Sequence, residues 1–124
     1  LKKYTPPSKI AARTYAALKL TGFTIVTEFS VGERLRGDFL IRELACVIEV
    51  DGDQHEVMNP FFHDGKDAFR NSKKRDNRKE VLCQEQGLKL VRLSAKEVMA
   101  AKDAQELVKL ILAKLAGVET VEEW

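Results

Sequence analysis

From Ser8 to Leu20 the apolar residues Ile10, Ala11, Tyr15 and Leu18 recur at helical spacing, with Ser8 as N-cap and Gly22 as the stop. The next stretch, FTIVTEF at 23–29, has strand composition, and VGERLRG at 31–37 reads as a loop. DFLIR at 38–42 and CVIEV at 46–50 are short apolar strands joined by a turn at Glu43–Leu44. Residues 52–65, holding Pro60, Phe61 and Phe62, read as a long loop. A polar helix from Asp67 to Gln86, closed by Gly87, leads into the strand LKLVRL at 88–93. The remainder is helical to Gly117, with a break near Ala101–Lys102, and residues 118–124 read as a tail. The order α-β-β-β-α-β-α is that of an α/β layer fold whose first three strands form an antiparallel meander. The fourth strand is reached through a helix and is expected to lie parallel to the third.

One strand breaks its own pattern. Val47, Ile48 and Val50 are strand formers, yet Glu49 and Asp51 interrupt them, and a carboxylate among valines is costly unless a cation meets it. A turn centred between Glu43 and Leu44 sets Leu40 opposite Val47 and Asp38 opposite Glu49. Alternation then puts Asp51 on the face of Glu49. Like charges opposed across a strand pair, with Cβ atoms about 4.5–5.5 Å apart, are destabilising. Three acids on one patch therefore call for a counter-cation. Oxygen ligands open to solvent suit Mg²⁺ or Mn²⁺ with several waters retained. A calcium loop starting at Asp51 fails, because His55 and Glu56 fall where that loop needs an oxygen ligand and a glycine. The alternative is plain charge pairing of Glu49 with an arginine such as Arg36. His55 lies just past Gly52, and an imidazole with an ordinary pKa of about 6.5 can trade protons near neutrality. His63 has no comparable context.

Composition narrows the class. At 124 residues the chain is one domain, with hydrophobic content of 44% and charged content of 32%, as in ordinary soluble chains. No apolar run approaches a membrane span and no signal peptide opens the chain, so no membrane partner is expected. Cys46 and Cys83 sit among apolar neighbours and read as buried thiols of a reducing, cytoplasmic compartment. With the two histidines they lack zinc-ligand spacing. The net charge of +2 is uninformative, but Lys66, Arg70, Lys73, Lys74, Arg75, Arg78 and Lys79 face only Asp67 and Asp76 over one helix. That helix is either a solvated face or a phosphate-contacting surface. The chain opens on Leu rather than Met, so it is expected to be a piece of a longer protein.

The segments GDF, VIEVDGDQH and RDNRKEVLCQEQGLKLVRL, in this order and spacing, resemble the PD-(D/E)xK nuclease superfamily. Within it they are similar to the very-short-patch repair endonuclease group, and closest to homing endonuclease catalytic domains with the E-D-x-H-D pattern. The likeness runs from about Ile10 to Val98. It implies a restriction-endonuclease-like core with a mixed central sheet, in a single nuclease catalytic domain spanning residues 1–124. It also implies a metal-dependent DNA endonuclease that hydrolyses phosphodiesters in double-stranded DNA, in a prokaryotic or phage context. A separate DNA-recognition domain would lie elsewhere in the full-length protein. Carried over by position, Asp38, Glu49 and the Val50 carbonyl hold Mg²⁺ (or Mn²⁺), and His55 and Asp76 complete the catalytic set. Asp51 stands where the superfamily has a lysine, with Gln54 as a further supporting residue. Lys66, Arg70, Lys73, Lys74, Arg75 and Arg78 contact DNA. The family glutamate of the first helix falls on Ala12, and no acid occurs between Ser8 and Gly22. That gap favours the alternative, a catalytically inactive DNA-binding module of the same fold.

Overall fold

The computed structural model describes residues 3–51 and 65–122, and of 65–73, 76 and 118–122 the backbone only. Helix α1 (Lys9–Leu20) begins where the sequence places it: Ser8 is extended and its hydroxyl accepts the Ala11 N–H at 3.1 Å. Strands β1 (Ile25–Gly32), β2 (Leu35–Ile41) and β3 (Cys46–Asp51) follow, the last two joined by a 3₁₀ turn at Arg42–Leu44. Ala45 closes that turn in the left-handed region. Helix α2 (Gly65–Glu85), strand β4 (Lys89–Ser94), and helices α3 (Ala95–Ala100) and α4 (Ala104–Glu122) complete the order. The sheet runs β1-β2-β3-β4, with antiparallel pairing up to β3 and β4 parallel to β3. The chain is thus an α/β protein with a mixed four-stranded sheet, and the pairs Leu40–Val47 and Phe39–Ile48 are those the turn position predicts.

Two expectations need correction. The segment 31–37 is not a loop: β1 runs to Gly32, β2 starts at Leu35, and only Glu33 and Arg34 turn, both at positive φ. Such a turn matches the twist of a hairpin but normally takes Asn or Gly, so its composition concealed it. Arg78 of α2 pairs with Glu33 and pins the turn from outside. Residues 118–122, expected as tail, continue α4. The break near Ala101 is real, since Ala101 is extended and separates α3 from α4.

Each face of the sheet is covered. On one, Phe39, Ile41, Cys46, Ile48, Val91 and Leu93 pack with Leu18 of α1, Val98 of α3, and Leu107 and Ile111 of α4, all at most 5% exposed. On the other, Val31 and Val47 meet Leu82 and Cys83 of α2, with Phe29, Leu35, Leu40 and Leu90 around them. Gly87, at positive φ, stops α2: the Leu88 N–H reaches back to the Cys83 carbonyl at 2.8 Å and Leu88 joins the same cluster.

The β1–β2 hairpin changes face part-way. Thr27 pairs with Phe39, whose ring lies in the α1 core, whereas the next pair, Phe29 with Gly37, packs on the α2 side. Between them Glu28 takes φ 52, and the recorded β2–β3 pairing ends at Phe39–Ile48. Gly37 permits this: a Cβ there would lie 2.8 Å from both the Phe29 ring and the Val47 methyl. Gly37→Ala is therefore expected to destabilise the fold by about 1–3 kcal/mol through overpacking. Val47→Ala in the same chain should recover part of the loss. A melting temperature unmoved by Gly37→Ala would show that the hairpin yields freely.

Candidate functional site

The place where β2 leaves β3 is where the strand acids gather. Beyond the Phe39–Ile48 pair, the Val50 N–H is accepted not by a β2 carbonyl but by Asp38 Oδ2, at 2.8 Å. A strand residue's N–H and C=O leave by the same edge, so the Val50 carbonyl belongs to the edge of β3 that faces β2. Asp38 is half-buried, and Tyr4, edge-on to Tyr15 and Phe39, has its phenol pushed up by burial and by the Asp38 and Glu28 carboxylates.

Glu49 is the most buried charge described, 3% exposed. Lys79 of α2 donates to its Oε1 at 2.5 Å. Arg92, its register partner on β4, stands 3.6 Å from Oε2 and donates to Glu80 on α2 at 2.5 Å. The charge pairing considered as the alternative for Glu49 is therefore present, with Arg92 and Lys79 in place of the exposed Arg36. Lys79 and Arg92 are what the residue pattern missed, though Lys79 left a signal. It lies three and four residues before Leu82 and Cys83, on the stripe of α2 that meets the sheet.

Burial raises the pKa of both Asp38 and Glu49 above the ordinary carboxylate range. The Val50 N–H and then Lys79 oppose this for Asp38, and Lys79 opposes it for Glu49. Asp51, the last residue of β3, pushes both further up. Asp38 and Asp51 thus act on Glu49, although the expected Asp38–Glu49 pair is not part of the ladder, which ends at Phe39–Ile48 because the hairpin changes face there. Among the described residues, no three His, Cys, Asp or Glu side chains converge closely enough to cage an ion. The donors at hand are two carboxylates and a main-chain carbonyl. That hard-oxygen set fits Mg²⁺, which takes one or two protein carboxylates and keeps its waters.

Gln54 and His55 lie outside the described residues. Asp76, Lys66, Arg70 and Lys73 fall on α2, of which the backbone alone is described at these positions. Lys74, Arg75 and Arg78 are exposed on the same helix. Ala12 is exposed on α1 while Ala11 is buried. Burial pushes the Cys46 thiol up to about 11 and raises Cys83 too, so both are protonated, unreactive core residues. No described helix is long and apolar enough to cross a membrane.

No family model matches the chain. It is similar to the uncharacterized protein 033L of Invertebrate iridescent virus 3, 35% identical over 60 residues. That stretch is 48% of this chain and 31% of the viral protein, so the chain spans about a third of its relative.

A carboxyl whose pKa is raised by folding binds its proton more tightly in the folded state. Its stabilising share is complete below the ordinary value of about 4 and is lost as pH rises through the elevated one. In metal-free buffer, Asp38→Asn should therefore gain melting temperature relative to the parent as pH climbs from about 4 toward neutrality. The amide keeps an acceptor for the Val50 N–H, so the difference reports the charge. Parallel pH profiles for the two proteins would mean that burial does not perturb Asp38.

Proposed function

We propose that the chain is a divalent-metal-dependent DNA endonuclease domain with a restriction-endonuclease-like core, hydrolysing a phosphodiester by water attack. One observation carries the reading: half-buried Asp38 and buried Glu49 lie in one field where β2 leaves β3, with Asp38 bonded to the Val50 N–H. Asp38, Glu49 and the Val50 carbonyl would hold Mg²⁺ or Mn²⁺. Bound there, the ion would polarise the phosphate and acidify water. His55 is proposed as the general base that takes the proton of the attacking water, with Asp76 orienting its imidazole. Lys74, Arg75 and Arg78, exposed on α2, would contact the phosphate backbone in company with Lys66, Arg70 and Lys73.

A specific observation favours a second reading, a DNA-binding module without activity. Where the resemblance expects a helix glutamate there is Ala12, exposed and without an acidic neighbour on α1. Because Ala12 is exposed, Ala12→Glu should leave the fold intact, and it provides the background in which the two readings separate.

Cleavage of plasmid DNA in Mg²⁺ is the test. Ala12→Glu should raise the rate. Asp38→Asn in that background should abolish cutting, and His55→Ala should lower it by about 10²–10⁴-fold while DNA affinity stays close to the parent's. Absence of metal-dependent cutting in parent and Ala12→Glu alike leaves the binding module as the function.

Under either reading, duplex DNA should bind with steep salt dependence and little sequence preference. Each phosphate contact contributes about −0.9 to the slope of log K against log salt. Removing two contacts by Lys74→Ala with Arg75→Ala should flatten the slope by nearly twice that amount. An unchanged slope returns this face of α2 to a solvated surface.

A further inference from the structure

Glu49 has two claims on its oxygens. Lys79 Nζ sits 2.5 Å from Oε1, with the two side chains 20% and 4% exposed. The same carboxylate is one of the donors through which a divalent ion would enter. An ammonium in contact with a carboxylate oxygen and a doubly charged ion on that carboxylate would stand within a few ångströms of each other. Their repulsion is poorly screened away from water. Contact by one therefore weakens contact by the other.

We propose that Lys79 is the resident counter-cation of the metal-free site and that the divalent ion exchanges with it at Glu49. The proposal rests on the metal reading above and assigns Lys79 a positioning role, acting through Glu49. Two features favour exchange over a fixed structural pair. Leu82 and Cys83 seat α2 on the sheet independently of the lysine. Arg92, on the opposite oxygen at 3.6 Å, retains part of the charge compensation when the ammonium withdraws. A lysine is suited to withdrawal, since its charge rides on a flexible four-carbon stem. The consequence is a site that remains folded without metal and binds metal more weakly than its carboxylates alone would allow.

Melting of the 124-residue chain across a Mg²⁺ titration at constant ionic strength tests this without reference to activity. Lys79→Met should melt below the parent in EDTA, because Glu49 loses its nearest cation. Mg²⁺ should then restore most of the loss, with half of the shift reached at about tenfold less Mg²⁺ than the parent needs. Lys79→Arg keeps the charge in a stiffer two-pronged form. It should melt close to the parent in EDTA and need about threefold more Mg²⁺. A Mg²⁺ midpoint in Lys79→Met equal to the parent's overturns the exchange. Should Lys79→Met fail to fold, Lys79→Arg decides alone: a raised midpoint supports exchange and an unchanged one overturns it. If parent and Asp38→Asn are both indifferent to Mg²⁺, the metal reading itself falls and takes this proposal with it. A parent that responds while the Lys79 variants respond identically leaves the metal reading standing and removes only the exchange.

Discussion

The interaction on which this fold turns is the buried carboxylate of Glu49, held in the middle of an apolar strand by cations from two other elements. Lys79 comes from α2, on one face of the sheet, and Arg92 from the neighbouring parallel strand. Arg92 also grips Glu80, one residue along from Lys79. The pair thus ties α2 to β3 and β4 at the level where the β1–β2 hairpin departs. Well-packed apolar side chains at such a position are often as stable as a buried ion pair, while loss of a single partner typically costs about 3–5 kcal/mol. Stability alone therefore does not explain a glutamate at residue 49. The metal-binding role proposed above would supply a reason for a negative charge at that point.

Asp38 shows the same economy of placement. Strand β3 goes on pairing with β4 as far as Asp51–Ser94, but its recorded pairing with β2 stops at Ile48. A Val50 N–H left without an acceptor would be expensive, and the Asp38 carboxylate takes it. The side chain thereby becomes fixed by the same bond that completes the sheet edge. Gly37 makes this geometry accessible by letting Phe29 and Val47 close over the bend, and the left-handed Glu28 supplies the matching kink on β1. The acids meet because the ladder opens there.

Much of this was legible from residue order. The turn at Glu43–Leu44 fixes the register of β2 and β3, and the observed Leu40–Val47 pair agrees with it. The α1 cap, the Gly87 stop and the parallel fourth strand also follow from local chemistry and topology. What escaped was non-local or atypical. Glu33 and Arg34 adopt a turn conformation that their side chains disfavour, and the Arg78–Glu33 contact that helps hold it joins residues far apart in sequence. Strict alternation fails at Glu28 and Asp38 because the hairpin changes face there. The true partners of Glu49 were hidden because a lysine within a basic run looks like its solvated neighbours.

That last point bears on how α2 divides its charge. Seen as a string, Lys74, Arg75, Arg78 and Lys79 are one basic cluster. Wound at about 100° per residue, Lys79 falls on the stripe of Leu82 and Cys83 while Lys74 and Arg78 turn away from it, and Arg75, one turn before Lys79 near the same stripe, is exposed. Arg78 is already engaged with Glu33 at the hairpin tip. One helix thus carries an inward cation for the strand acids and outward cations for solvent or a phosphate backbone. The two sets are joined by a rigid rod less than two turns long between Lys74 and Lys79. A purely solvated helix has no need of the first set, and a purely structural ion pair has no need of the second. Both sets stand on the same helix, beside carboxylates that folding makes reluctant to ionise, and the proposed nuclease reading would use the two together.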